Sequence, residues 1–153
     1  MGLARRDALH HHCLLAHGAP CMILRPARDA DSDYFFTLRA DPTAALMSRR
    51  LVPTMEQHVK WWRETHDLRY IAEVPNGKLA GTVRVGKDGA VSIVVDPTMR
   101  GLGYGPMMLE ALAPLAKAQG YDTLLAEIAY DNVRSQQCFR KAKWRPVLWE
   151  CHI

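Results

Sequence analysis

Hydrophobic and polar positions change their spacing along the chain, and these changes mark its first elements. Residues 22–25 form a short apolar run that predicts a strand. Apolar residues at helical spacing follow and predict a helix that ends near Asp41. Thr54, with Gln57 three residues later, has the pattern of a capping box and predicts the start of a second helix.

The middle of the chain changes to runs typical of β-strands. These runs cover residues 70–74, 79–85 and 90–95. The pairs Asn76-Gly77 and Asp88-Gly89 separate them, and both pairs tolerate the positive φ angles that tight hairpins require. We therefore expect an antiparallel meander.

The second half alternates between helical and strand patterns. A helix is predicted from residue 106 to Gly120, with a kink or an early end at Pro114, because an interior proline removes a backbone hydrogen bond. A strand is predicted over 123–128, a helix over 131–141 and a last strand over 144–149. This order predicts an α/β fold with a mixed sheet, antiparallel in its first half and parallel in its second, flanked by helices.

Length and composition fit one domain, because 153 residues with 48% hydrophobic content can bury a single core. We place this domain at residues 22–153 and expect residues 1–21, which lack periodicity, to be a flexible extension. The run His10–His12 predicts no metal site, since adjacent residues seldom converge on one ion. No apolar stretch is long enough to span a membrane, and no CxxC pair occurs, so we expect a cytoplasmic protein with reduced thiols.

The segment from Val94 to Gly105 carries the clearest chemistry, because a strand runs through a glycine-rich turn into a helix. Glycines let a diphosphate approach the backbone, while amide groups and the positive end of the helix dipole favour negative charge. Arg100 adds a fixed positive charge. The alternative is that Gly101 and Gly103 only make a tight connection. The segment is not a P-loop, since no Gly-Lys-Ser or Gly-Lys-Thr follows.

A second motif lies downstream, in the segment that contains Asn132, Ser135, Phe139 and Trp144. It is similar to the N-x-x-S/A-x-x-x-Y-x-K-x-G-F segment of the GNAT superfamily of N-acetyltransferases, and the R-x-x-G-x-G turn resembles the acetyl-coenzyme A motif of the same family. The resemblance covers about residues 22–149. It implies a GNAT-like fold with acetyl-CoA as the co-substrate.

The resemblance also implies where the cofactor lies. In that family the strand before the turn and the strand after the next helix splay apart, and the pantetheine arm lies between them. The implied cofactor-binding residues are Ile93, Val94, Val95, Arg100, Gly101, Leu102, Gly103, Tyr104, Gly105, Asn132, Ser135 and Phe139. For Asn132, a helix N-cap is the alternative role.

The family's chemistry is direct attack of an amine on the thioester. Glu127, late in the predicted strand beside the acetyl arm, is the candidate base, and an ordinary surface carboxylate is its alternative reading. Many members have a tyrosine that protonates the leaving thiolate, but this chain has Phe139 at that position. Tyr130 is the candidate acid in its place. Tyr104, Cys138, a water molecule or departure of the free thiolate remain alternatives.

The acceptor side resembles a narrower group. Residues 38–42 and 55–62 are similar to segments of acetyltransferases that act on amino-sugar nucleotides, and in part to ribosomal-protein N-terminal acetyltransferases. Arg39, His58 and Trp61 are the candidate substrate-binding residues, with core packing as their alternative role. The expected acceptor is a primary amine of a small substrate such as an amino-sugar nucleotide. Protein amino termini, or a non-catalytic acyl-CoA-binding module, are the alternatives.

The partners expected from the sequence are small molecules, with neither nucleic acid nor membrane, because the net charge of +4 comes from dispersed basic residues. Only twelve residues follow Lys141, enough for one strand. We therefore expect the fold to be shortened at its carboxyl end. Either the sheet closes differently, or its open edge pairs with another chain and forms a homodimer.

Overall fold

The computed structural model of the protein describes residues 21–147. Residues 1–20 of the predicted extension, which include the run His10–His12, lie outside the described residues. So does the end of the predicted last strand. The strands are β1 (Ile23–Pro26), β2 (Leu68–Glu73), β3 (Leu79–Val85) and β4 (Val91–Val95), and the helices are α1 (Ser32–Arg39), α2 (Pro42–Met47), α3 (Met55–Glu64), α4 (Tyr104–Ala118) and α5 (Val133–Lys141).

The first helices begin where the sequence supplies capping groups. The Thr54 side chain accepts a hydrogen bond from the Gln57 amide while the Gln57 side chain accepts one from the Thr54 amide, so the predicted capping box at α3 is confirmed. Helix α1 ends at Arg39, close to the predicted end. Helix α2 was not predicted. Asp41 caps it by accepting from the Ala44 amide at 3.0 Å, and Pro42 occupies its first position.

The four strands form one antiparallel sheet in the order β1-β2-β3-β4. Gly77 and Gly89 have φ angles of 83° and 81° in the two turns of the meander, as the hairpin pattern predicted. The α/β class, the antiparallel first half and the flanking helices are therefore confirmed.

The parallel second half is not confirmed. Within residues 21–147, the segment 123–128 makes only one isolated parallel bridge, between Ala90 and Leu125. Two hydrogen bonds hold it, from the Val91 amide to the Leu125 carbonyl at 2.7 Å and from the Leu125 amide to the Gly89 carbonyl at 3.0 Å. The prediction of a regular strand here was wrong, because a ladder needs a neighbour along its whole length and this segment meets β4 only at its start.

Two further expectations differ from the structure: the early end of α4, which was one of the two alternatives at Pro114, and the last strand. Helix α4 does not end at Pro114 but continues to Ala118, and Pro114 is exposed, so water can reach the carbonyl that lacks a donor. The described part of the predicted last strand, residues 144–147, is not a strand. Trp144 instead folds back on α5, with its amide donating to the Phe139 carbonyl at 3.0 Å and its ring 5.0 Å from the Phe139 ring.

The elements form three layers. On one face of the sheet, α4 and α5 cover a core that includes Val83, Met108, Leu109, Leu112 and Phe139. Helices α1 to α3 cover the other face, where Phe35 and Leu38 are buried. No helix among residues 21–147 is long and apolar enough to cross a membrane. Cys138 is a free thiol.

Candidate active site between the glycine-rich turn and an arginine-lined cavity

The glycine-rich turn connects β4 to α4 as the sequence predicted. A short 3₁₀ turn over Pro97–Met99 follows β4, and residues 100–103 lead into α4. Gly101 and Gly103 have φ angles of 78° and 89°, a left-handed conformation that strongly favours glycine. Gly103 is also the N-cap of α4, so the turn presents the positive end of a 15-residue helix.

The surface of this turn fits a phosphate group. A Cβ atom placed on Gly101 or Gly103 would meet no atom within 4 Å, so the space beside both residues is open. No side chain caps α4, and the amides of Gly101, Leu102 and Gly103 donate to no group within residues 21–147. Unpaired amides at the start of a helix are the donors that bind diphosphates. The turn therefore fits the pyrophosphate of coenzyme A.

Arg100 points from this turn toward the start of α2. Its terminal nitrogen lies 2.7 Å from the Asp41 carboxylate, and its Nε donates to the Val95 carbonyl at 3.2 Å. The hydrogen bond from Arg100 holds the pKa of Asp41 below its usual value. The guanidinium thus fixes the turn to the start of α2, and its charge is already paired with a carboxylate.

Among the described residues, one edge of strand β4 has no strand partner apart from the bridge at its start. Backbone groups alternate between the two sides of a strand. The Val91 amide faces Leu125, whereas the Asp96 amide bonds to Ala80 of the β3 side. By this alternation Ile93 and Val95 turn their amides to the open edge, and Val94 turns its amide toward β3. The Ile93 and Val95 amides are therefore the donors that this edge offers to a ligand.

Two other predicted cofactor residues, Gly105 and Phe139, are buried in the packing of α4 and α5. Gly105 is buried where the helices meet, and a Cβ there would lie 2.6 Å from the Cys138 sulfur. Burial raises the pKa of Cys138 to about 11, which keeps this thiol protonated at neutral pH. Phe139 is buried against Trp144.

Asn132 takes the capping role that was its alternative reading. Its side-chain oxygen accepts from the Ser135 amide at 3.1 Å, and its side-chain nitrogen donates to the Met47 carbonyl at 3.3 Å. The second contact ties the start of α5 to the end of α2.

The two candidate catalytic side chains lie on the surface of the segment after the bridge to β4. Glu127 is exposed and has no hydrogen-bond partner in the described part of the chain. Tyr130 is 81% exposed, and the Arg49 guanidinium lies 5.2 Å from its ring centre. Both side chains are accessible to a substrate.

A cavity of about 80 Å³ lies between the sheet and helices α1 to α3. Arg39 and Trp61, two of the three predicted acceptor residues, line it. His58 is fully buried behind Arg39 and accepts a hydrogen bond from it at 3.1 Å. The structure therefore brings these three predicted residues together.

Several lining residues escaped the sequence analysis. Arg50 comes from the segment after α2, and Thr82, Arg84 and Ser92 come from β3 and β4. Val94, predicted as a cofactor residue, lies beside them in the lining. The four strand residues alternate with core residues and therefore share one face of the sheet. This period of two was visible in the sequence and could have identified them.

Comparisons with known proteins agree with this geometry. The family model of the acetyltransferase (GNAT) family matches residues 28–144. No curated protein sequence is significantly similar to the chain.

Solved structures share the fold. A spermidine N-acetyltransferase from Vibrio cholerae, in complex with CoA and spermine, has a TM-score of 0.68 at 13% identity, with 79% of each chain covered. A domain from Methanocaldococcus jannaschii has a TM-score of 0.72 at 19% identity, covering 84% of this chain and 90% of that one. The aminoglycoside acetyltransferase AAC(6')-Ib, in complex with coenzyme A and kanamycin, has a TM-score of 0.65 at 18% identity, covering 79% and 82%.

The family model spans most of the described chain and includes both the glycine-rich turn and the segment of α5. The open turn at the end of β4 fits the phosphates of coenzyme A. The cavity between the sheet and helices α1 to α3 adjoins the same strand. The chain therefore belongs to the acetyltransferase (GNAT) family and is an N-acetyltransferase.

Proposed function

We propose that the protein transfers the acetyl group of acetyl-CoA to a primary amine of a small substrate by direct attack. The observation that carries this proposal is the cavity of about 80 Å³ beside β4, which is large enough for a functional group of a small molecule. Its walls come from three helices and two strands, so the acceptor would be held by fixed elements.

The cofactor is held by the turn and by β4 in this proposal. The amides of Gly101 to Gly103 bind the pyrophosphate, and the pantetheine arm lies along the open edge of β4. The Ile93 and Val95 amides then donate to the acetyl carbonyl, where negative charge develops during attack. The amine nitrogen forms a bond to the carbonyl carbon, the carbon–sulfur bond breaks, and coenzyme A leaves as the thiolate.

Two side chains handle protons in this proposal. Glu127 removes a proton from the attacking ammonium, directly or through water, and Tyr130 donates a proton to the leaving thiolate. Their exposure supports access to substrate and solvent. Cys138 is a poor donor because burial raises its pKa to about 11.

The test is an assay of thiol release with primary amines, confirmed by the mass of the acetylated product. The panel contains an amino sugar, a nucleotide-linked amino sugar, a polyamine and a short peptide with a free amino terminus. Turnover of a small amine but not of the peptide supports the proposal. Turnover of the peptide alone would assign the activity to protein amino termini, and binding of acetyl-CoA without turnover of any amine would contradict it.

The catalytic roles are tested separately with Glu127→Gln and Tyr130→Phe. General acid or base catalysis contributes about 100-fold or more, so each variant should lower kcat by about that factor with little effect on KM. Glu110→Gln, an exposed carboxylate on α4, is the matched control and should keep full activity. Equal activity of Glu127→Gln and the control would remove Glu127 from the mechanism.

Association of two copies through a sheet edge stays a prediction. A molecular mass of one chain in solution, measured by light scattering at assay concentrations, would contradict it.

A further inference from the structure

The wall of the acceptor cavity carries an excess of positive charge. Three arginines line it, Arg39, Arg50 and Arg84, and we call them the arginine wall. No aspartate or glutamate lines the cavity. Asp67 pairs with the Nε of Arg84 at 2.6 Å, but its side chain is only 7% exposed and lies outside the lining. Three positive charges therefore face the cavity with one carboxylate behind them.

Arg39 is held in place without an acidic partner. Its guanidinium carbon lies 4.0 Å from the Trp61 ring centre, and its NH1 group donates to His58 Nδ1 at 3.1 Å. The other nitrogen of His58 lies 2.9 Å from the Ser32 carbonyl, which requires that nitrogen to carry the proton. Burial, together with the charge of Arg39, lowers the pKa of His58, so the imidazole is neutral and acts as a fixed acceptor.

This arrangement differs from that of Arg25. Arg25 lies 2.8 Å from Asp31 and 2.6 Å from Glu73, so its charge is balanced by two carboxylates. Arg39 has no ion pair within residues 21–147. Burial, followed by repulsion from Arg84 and Arg50, lowers the pKa of its guanidinium. Arg69 also has no ion pair among these residues, but its guanidinium donates to the carbonyls of Trp61, Trp62 and Thr65. Arg39 makes only the bond to His58 within the described residues, so its other N–H groups remain available to a ligand.

We propose that the arginine wall binds an anionic group of the acceptor, a phosphate or a carboxylate, with Arg39 as the main contact. This inference rests on the proposed function, because it takes the cavity as the acceptor site. A guanidinium can bind either group through two parallel hydrogen bonds, and the stack on Trp61 together with His58 fixes its orientation. The same wall repels polycationic amines. The preferred acceptor therefore carries an amine and a negative charge.

The kinetic test compares acceptors that share an amine and differ in charge, at saturating acetyl-CoA. Glucosamine 6-phosphate is compared with glucosamine, and β-alanine with β-alaninamide. Wild-type protein should favour the anionic member of at least one pair by about 10- to 100-fold in kcat/KM, as expected for a charge-assisted contact. Arg39→Gln should abolish this preference and leave the Kd of acetyl-CoA unchanged, and Arg39→Lys should restore part of it. Arg63→Gln removes an equal charge from the exposed face of α3 and should change neither value.

A binding measurement keeps the inference testable if none of these amines is acetylated. The arginine Nε–H signals of the CoA-saturated protein are followed by NMR during titration with inorganic phosphate and, separately, with acetate. A shift of the Arg39 signal, with none at Arg63, supports an anion site, and the anion that causes the larger shift identifies the group. An unmoved Arg39 signal at tens of millimolar of both anions would overturn the inference.

The two proposals fail in different ways. If acetyl-CoA is used with amines but neutral and anionic acceptors react equally, the proposed function stands and the anion site is refuted. If no amine reacts but the Arg39 signal responds to phosphate, the anion site stands and the proposed function fails.

Discussion

Replacing Gly105 by alanine tests how closely α4 is seated against α5. A Cβ at this position would lie 2.6 Å from the Cys138 sulfur and 3.5 Å from a methyl carbon of Val95. The second distance is an ordinary contact, so it needs no adjustment. The first is about 1 Å shorter than the usual separation of nonbonded atoms, so one helix must move or the sulfur must rotate away.

The expected cost follows from this overlap. Adding one methyl group to a packed site destabilises a protein by about 1–3 kcal/mol, so Gly105→Ala should lower the free energy of unfolding by that amount. Cys138→Ala removes the sulfur that causes the overlap, at a cost of about 1 kcal/mol for the small space it leaves. In the Cys138→Ala background, Gly105→Ala should then cost almost nothing, because the overlap is gone and alanine has the higher helix propensity. The coupling energy of the two substitutions should be about 2 kcal/mol.

The assay is urea unfolding of the wild type, both single variants and the double variant, followed by circular dichroism. The cycle isolates the contact between the two positions, because each single change alters only one partner. If the two effects add to within about 0.5 kcal/mol, the overlap of Cβ and sulfur does not govern the cost, and the close seating of α4 on α5 is refuted.

Two other predictions concern the turn and its ion pair. Gly103→Ala should lower the free energy of unfolding by about 1–2 kcal/mol, because Gly103 has a left-handed backbone, and should weaken acetyl-CoA binding about tenfold or more in calorimetry. Gly77→Ala is the control, because Gly77 has a φ of 83° and equally open space. It should lose the same stability but keep the affinity for acetyl-CoA. The hydrogen bond from Arg100 lowers the pKa of Asp41 below the ordinary value of 3.8. The ion pair therefore stabilises the fold fully at pH values above 3.8, and this stabilisation is lost as the pH falls through the lowered pKa. Asp41→Asn keeps the helix cap but removes the charge, so it should lower the free energy of unfolding by about 1 kcal/mol at neutral pH. The free energy of unfolding should also fall less steeply toward acid pH than in the wild type. Identical pH dependence in the two proteins would contradict the ion pair.

Local signals predicted the elements that depend on local groups. The capping box at Thr54 and the turn residues Gly77 and Gly89 act within a few positions of the chain, and the structure confirms all three. The start of α2 was equally local, since Asp41 followed by Pro42 is a common beginning of a helix. It was missed because the same pair was taken only as the end of α1.

Features that depend on distant partners could not be predicted in this way. The apolar pattern of residues 123–128 does not reveal that only Leu125 finds a partner on β4. The ion pair of Arg100 with Asp41 joins residues 59 positions apart, so the sequence placed the guanidinium on the phosphates instead. The resemblance of the chain to its family located the turn, whereas the arginine wall emerged only when α1, β3 and the segment after α2 came together.

The ion pair between Arg100 and Asp41 also has a kinetic consequence. It links the proposed phosphate-binding turn to Asp41, the N-cap residue of α2, and α2 contributes to the wall of the cavity. In the proposed function, any displacement of the turn on binding of coenzyme A would be transmitted through this ion pair to α2 and so to the proposed acceptor cavity. This predicts a sequential kinetic mechanism in which the nucleotide thioester adds first, and loss of the link in Asp41→Asn should make the order of addition random.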